Sequence, residues 1–137
     1  MGPDVMWRTD AAFDFVIEAK SKKEDNPLYK NDHAQLLEAE AWCKSTYPGR
    51  AAVRVSALPE AVADPKASTA GSSAFRHDEV TKLVIALRSV LSDLVVSAGN
   101  VDALRERCEA ALQKVNLKPD GIKANFLVPF AIAAKAA

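Results

Sequence analysis

Residues 13–20 read Phe-Asp-Phe-Val-Ile-Glu-Ala-Lys, an alternating run that fits a strand far better than a helix. Side chains on a strand point to opposite faces in turn. Phe13, Phe15 and Ile17 therefore share one face, and Asp14, Val16, Glu18 and Lys20 share the other. A polar turn, Thr9-Asp10-Ala11-Ala12, precedes the run, and a shorter extended piece containing Val5 and Trp7 comes before the turn. Folding back about residues 10–12 sets Asp4 opposite or nearly opposite Glu18. Val5 and Trp7 then join the apolar face, while Asp4 and Arg8 join Glu18 and Lys20. Carboxylates placed side by side on a sheet repel one another. A hairpin that gathers two of them beside a lysine has a use for them, and the simplest is to supply oxygen ligands to a divalent cation.

The rest of the composition narrows the class. Lys and Arg together number 18, as do Asp and Glu, so the 137-residue chain is formally neutral. That balance excludes a histone-like or tail-driven nucleic-acid binder but leaves room for a local basic patch. Cys43 and Cys108 lack metal-ligand spacing and are expected as free thiols in a reducing cytoplasm. Met1-Gly2-Pro3-Asp4 carries no basic region leading into an apolar one, so no signal peptide is expected. The longest apolar run, residues 126–134, is broken by Pro129 and is too short to span a bilayer. The expected location is cytoplasmic.

Beyond the hairpin the chain alternates between element types. Residues 21–32 are charged and irregular, with Asn26-Pro27 as a turn signal. A helix follows over residues 32–45, with Asp32 as its cap and Leu36, Leu37, Ala41 and Trp42 at helical spacing. Pro48-Gly49 stops it, and residues 51–57 form a strand. Residues 59–72 read as a long surface loop and 73–76 as a short strand. From 78 to 98, Val80, Leu83, Val84, Leu87, Val90, Leu91 and Leu94 mark a long amphipathic helix ended by Gly99. Asn100 caps a further helix over 101–115, residues 118–121 form a turn, and the apolar tail contains a strand before Pro129. The fold class is α/β: a small mixed central sheet, with the hairpin and the 51–57 strand at its centre, flanked by helices.

Pro3-Asp4, thirteen residues, then Glu18-Ala19-Lys20 resembles the signature of the PD-(D/E)XK nuclease superfamily, the restriction-endonuclease-like fold. The strand over 13–21 is similar to that group's metal-binding strand. The helix that begins Lys30-Asn31-Asp32-His33-Ala34-Gln35 resembles the one that follows it, where a glutamine often faces the site. The subgroup it resembles is a bacterial nuclease domain joined to helicase segments. The resemblance covers residues 3–49, is weaker over 50–95, and stops there. It implies a nuclease-like core over residues 1–98 that lacks the family's first helix and strand, with residues 99–137 as a carboxy-terminal helical extension packed on the same domain. It also implies metal-assisted phosphodiester hydrolysis. Asp4, Glu18 and the Ala19 carbonyl would hold Mg²⁺ or Mn²⁺. Lys20 would orient the attacking water or neutralise charge on the phosphorane. Gln35 would position Lys20, the water or a phosphate, and Lys22, Lys23 and Lys30 would contact the backbone of a nucleic acid, DNA foremost. Because the family's first elements do not fit before Pro3, the chain is expected to be the carboxy-terminal piece of a longer protein or to have lost its start, which would leave it inactive, expose a sheet edge that invites pairing, or have it borrow the element from a second copy as a homodimer; the resemblance also implies a helicase domain or subunit as partner.

Other readings of the same residues stay open. Asp4 alone is an ordinary strand-end residue, and Glu18 with Lys20 alone is a surface ion pair of small energetic weight. Asp14 is a solvent residue, or a substitute ligand if the hairpin register shifts by two. His33 and His77 read as helix-start residues, and Trp7 and Trp42 as core. The alternative functions are a catalytically inactive relative that binds nucleic acid or a protein through the same surface, and an interaction module built on the helical pair over 78–115. The latter expects a large exposed apolar stripe.

Overall fold

The computed structural model describes residues 2–23, 26–95 and 99–134. Strands β1 (Val5–Arg8) and β2 (Phe13–Ala19) lead into helix α1 (Lys30–Thr46) and strand β3 (Ala51–Ala57). Two short strands follow, β4 (Val62–Ala63) and β5 (Ser72–Phe75). Helices α2 (His77–Val95), α3 (Val101–Lys114) and α4 (Pro119–Asn125) come next, and strands β6 (Val128–Pro129) and β7 (Ala131–Ile132) close the order. The chain divides into two compact units, one made of residues 1–77 and 127–137, the other of residues 78–126.

The first unit is an α/β layer built on a mixed five-stranded sheet in the order β1-β2-β3-β5-β6. β1 and β2 form the antiparallel hairpin, with Val5 opposite Ile17 and Arg8 opposite Asp14. One step further along that register brings Asp4 across from Glu18. The chain then crosses through α1 and returns as β3 parallel to β2, setting Glu18 beside Ser56. β5 runs parallel to β3, and β6 closes the sheet antiparallel to β5. β4 and β7 pair as a separate two-stranded parallel ribbon.

The packing treats the two faces of the hairpin differently, and Trp7 and Trp42, expected in the core, are both exposed. The face bearing Asp14, Val16 and Glu18 is the one α1 covers. Leu36, Ala39 and Cys43 come down from the helix onto Val16, with Met6 and Ala52 at the margin. Val16 and Leu36 are fully buried, each burial contributing roughly 1.5–3 kcal/mol. On the opposite face Phe15 is buried, yet Val5 and Trp7 remain 51% and 38% exposed. The candidate residues therefore lie at the end of a helix-covered face. A second core gathers Leu28, Leu58, Ala61, Ala63, Ala67 and Ala74, with Val128 and Phe130 packed against it from the far end of the chain.

Several local expectations are also revised. Asp32 is not the cap of α1: Tyr29 holds that place, and Asp32, three residues into the helix, accepts the Tyr29 backbone N–H at 3.0 Å. The 59–72 loop contains β4, which a two-residue run of small side chains gives no pattern to announce. Residues 118–121 open α4, with Pro119 in its first turn, where a missing N–H costs nothing. There Gly121 packs so close to the turn after α3 that a Cβ would lie 2.5 Å from the Asn116 carbonyl oxygen. Asn100 caps α3 as expected, accepting the Ala103 N–H at 2.8 Å. The expected end of the long helix at residues 96–98 lies outside the described residues. Among the described residues no helix is long and apolar enough to cross a membrane.

Candidate functional site

The hairpin register brings the carboxylates at positions 4 and 18 together, and the backbone ties them crosswise. The Asp4 backbone N–H donates to Glu18 Oε1 at 3.3 Å, while the Ala19 backbone N–H donates to Asp4 Oδ2 at 2.9 Å. Each acidic side chain is thus oriented by the strand that carries the other. Lys20 lies just past the end of β2, and its own N–H donates to the Ala57 carbonyl at 2.8 Å. Its Nζ sits 3.5 Å from Glu18 Oε2 and hydrogen-bonds Gln35 Oε1 on α1. Asp4, Glu18, Lys20 and Gln35, scattered over 32 positions of sequence, therefore converge on one corner of the sheet.

The corner is asymmetric in its exposure. Glu18 is 7% exposed, and the Lys20 side chain 11%, so their charges face one another with little water between them. Asp4 is exposed. One carboxylate is recessed and paired; the other opens to solvent.

The donor set suits a hard cation. Two carboxylates and the Ala19 backbone carbonyl are all oxygen groups, the chemistry Mg²⁺ prefers, and Mg²⁺ commonly keeps several waters beside one or two carboxylates. Among the described residues no group of three or more His, Cys, Asp or Glu side chains could hold a metal ion. An ion held by that set would take few protein ligands and keep several waters.

The three loop lysines separate in role. Lys22 Nζ lies 2.6 Å from Asp32 Oδ2 and 4.7 Å from the centre of the Tyr29 ring, which commits it to the first turn of α1. Burial pushes the Asp32 carboxyl upward. The Lys22 hydrogen bond, the Tyr29 N–H and the charges of Lys22 and Lys20 outweigh it, holding Asp32 below the usual carboxylate range. Lys23 and Lys30 are exposed.

Asp14 is neither a solvent residue nor a substitute ligand. It is buried, and Arg50 grips both its oxygens, Nε to Oδ2 at 2.9 Å and Nη2 to Oδ1 at 2.7 Å. The Arg50 hydrogen bond holds the Asp14 carboxyl below its ordinary value against the opposing effect of burial, with the Thr9 N–H and the charges of Arg50 and Arg8 adding to it. Nothing local marked Arg50 as its partner, since the two lie 36 positions apart. His33 lies in the first turn of α1 as expected, and it is buried, with no hydrogen-bond partner for Nδ1 among the described residues. Burial, and then the nearby Arg54 charge, lower its pKa and keep the ring neutral. Cys43 and Cys108 are free, as expected, and burial first of all raises the Cys43 thiol pKa, which keeps it protonated and inert.

No family model, no curated protein and no solved structure matches this chain.

Proposed function

We propose that the first unit is a metal-dependent nuclease domain of the PD-(D/E)XK type, acting on phosphodiester bonds in DNA. The observation that supports this most is the convergence of Asp4, Glu18, Lys20 and Gln35, from two paired strands and a helix, on one corner of the sheet. In this reading Asp4, Glu18 and the Ala19 carbonyl hold Mg²⁺ or Mn²⁺, which polarises the phosphate and lowers the pKa of a bound water. Gln35 holds Lys20 by its Nζ, so the ammonium stays aimed at the space in front of the two carboxylates. From there it orients the attacking water or meets charge developing on the phosphate. Lys23 and Lys30 supply contacts to the polyanion that carry affinity without reading sequence.

A phosphodiesterase assay on the purified chain, with Mg²⁺ and with EDTA, tests the reading. Activity should require the metal, and K20A should lower the rate by about 10²-fold, the scale of losing one preorganised charge donor. D4A and E18A should abolish it. A chain with no metal-dependent activity whose D4A and E18A variants still bind DNA as tightly as wild type would be the inactive binder of the same fold.

The interaction-module reading has an observation of its own. Ile85 and Leu91 on α2 are 62% and 60% exposed, and Val84, Leu87, Val101 and Leu104 are exposed too. That much apolar surface on one helical pair is a feature of contact surfaces. An I85E/L91E double variant that keeps nuclease activity but loses self-association or a pulled-down partner would give the helical unit that separate role.

A further inference from the structure

Ser56 is fully buried, and its hydroxyl has no hydrogen-bond partner among the described residues. Buried hydroxyls are nearly always satisfied, so an orphan calls for a specific explanation. The sheet register supplies the setting. Ser56 on β3 lies directly beside Glu18 on β2. Neighbouring residues of paired strands project to the same face, on strands about 4.8 Å apart. Its neighbour on the other side is Ala74, which is buried and has no polar side-chain atom to offer.

Glu18 is itself loosely held. Its contacts at 3.3 Å from the Asp4 N–H and 3.5 Å from Lys20 Nζ are both longer than a normal N–H···O bond. A recessed carboxylate with two long contacts thus stands next to a buried hydroxyl with none. A buried water needs two to four polar partners, and the carboxylate and the hydroxyl provide two.

We infer that Ser56 is a positioning residue for Glu18: through one buried water, its hydroxyl donates to the Glu18 carboxylate and fixes which oxygen the site presents to a divalent cation. The inference rests on the metal-dependent reading above. Ligating groups owe much of their affinity to partners that orient them without touching the ion. Ser56 has the place and the spare donor for that task.

Titration calorimetry of the full chain with Mn²⁺, in the absence of any nucleic acid, tests it. S56A removes the hydroxyl with little change of volume, and S56T keeps it. S56A is expected to weaken Mn²⁺ binding about tenfold, as loss of an outer partner does, with Tm unchanged or raised because an orphan polar group has gone. S56T should bind close to wild type. S56A binding as tightly as wild type, or S56T binding as weakly as S56A, would overturn the role of Ser56. If in that case E18Q has still lost binding, the metal site stands and only the inference about Ser56 fails. A wild-type chain that takes up no Mn²⁺ overturns both.

Discussion

Arg50 shows how one side chain fixes a register. Besides gripping Asp14, its Nη2 donates to the carbonyls of Thr9, Ala11 and Phe13 at 2.9, 2.9 and 3.0 Å, so a single guanidinium collects the whole hairpin turn. A lysine has no such planar fork. R50A should lower Tm by several degrees in a thermal melt, and R50K should recover only part of the loss, whereas R8A, whose contact with Asp14 is 3.5 Å long, should do little. The pH dependence follows in sign. Asp14 has a depressed folded-state pKa, so its stabilisation is complete above the unfolded value near 3.9 and is lost as pH falls through the lower folded value. His33 acts in a different window. Its folded pKa lies below the unfolded value near 6.5, so the unfolded chain takes up the proton first. Stability should begin to fall below about pH 6.5, with a slope of at most about 1.4 kcal/mol per pH unit. H33Q should flatten that part of a denaturant-derived stability profile between pH 5 and 6.5.

At the scale of elements, α1 serves the core and the site together. Leu36 points into the core and its neighbour Gln35 to Lys20, so packing and site geometry share one turn of helix. L36A should cost about 3 kcal/mol in urea unfolding, the usual price of a buried leucine cavity. β5 depends on a backbone feature. Gly71 precedes it with a φ of +73°, and Arg54 bonds the carbonyls of Ala70 and Gly71 there. G71A should destabilise by about 1–2 kcal/mol, measured the same way, because an L side chain resists that φ. Much of this was legible in the chain: period-two alternation marked β2, the Pro48-Gly49 stop marked the end of α1, and Glu18 and Lys20 two apart on a strand had to point the same way. What was not legible has a common cause. Arg50 with Asp14, Arg54 with Glu40, and Ser56 beside Glu18 are partnerships across strands and crossovers, and no local period encodes them. Which face of the hairpin the helix covers is not encoded there either, for a related reason. Alternation says which residues share a face, but a helix arriving later decides which face it covers.

At the scale of the whole molecule, the first unit is discontinuous in sequence. Its sheet runs through β5, leaves for a 49-residue helical unit, and is completed only by β6 pairing Ser73 with Pro129 and Ala74 with Val128. All the candidate site residues lie before position 58, yet the sheet beneath them closes near the end of the chain. Ending the chain at residue 126 should therefore expose β5 as an edge and strip Val128 and Phe130 from the second core. Hydrogen exchange should show β5 amides losing protection while those of β1 and β2 change least. The same arrangement bears on biosynthesis. During synthesis the alanine-rich patch around Leu28 is made before the helical unit, and Val128 and Phe130, which cover it, only after that unit. Through that interval a chaperone has a defined greasy surface to hold.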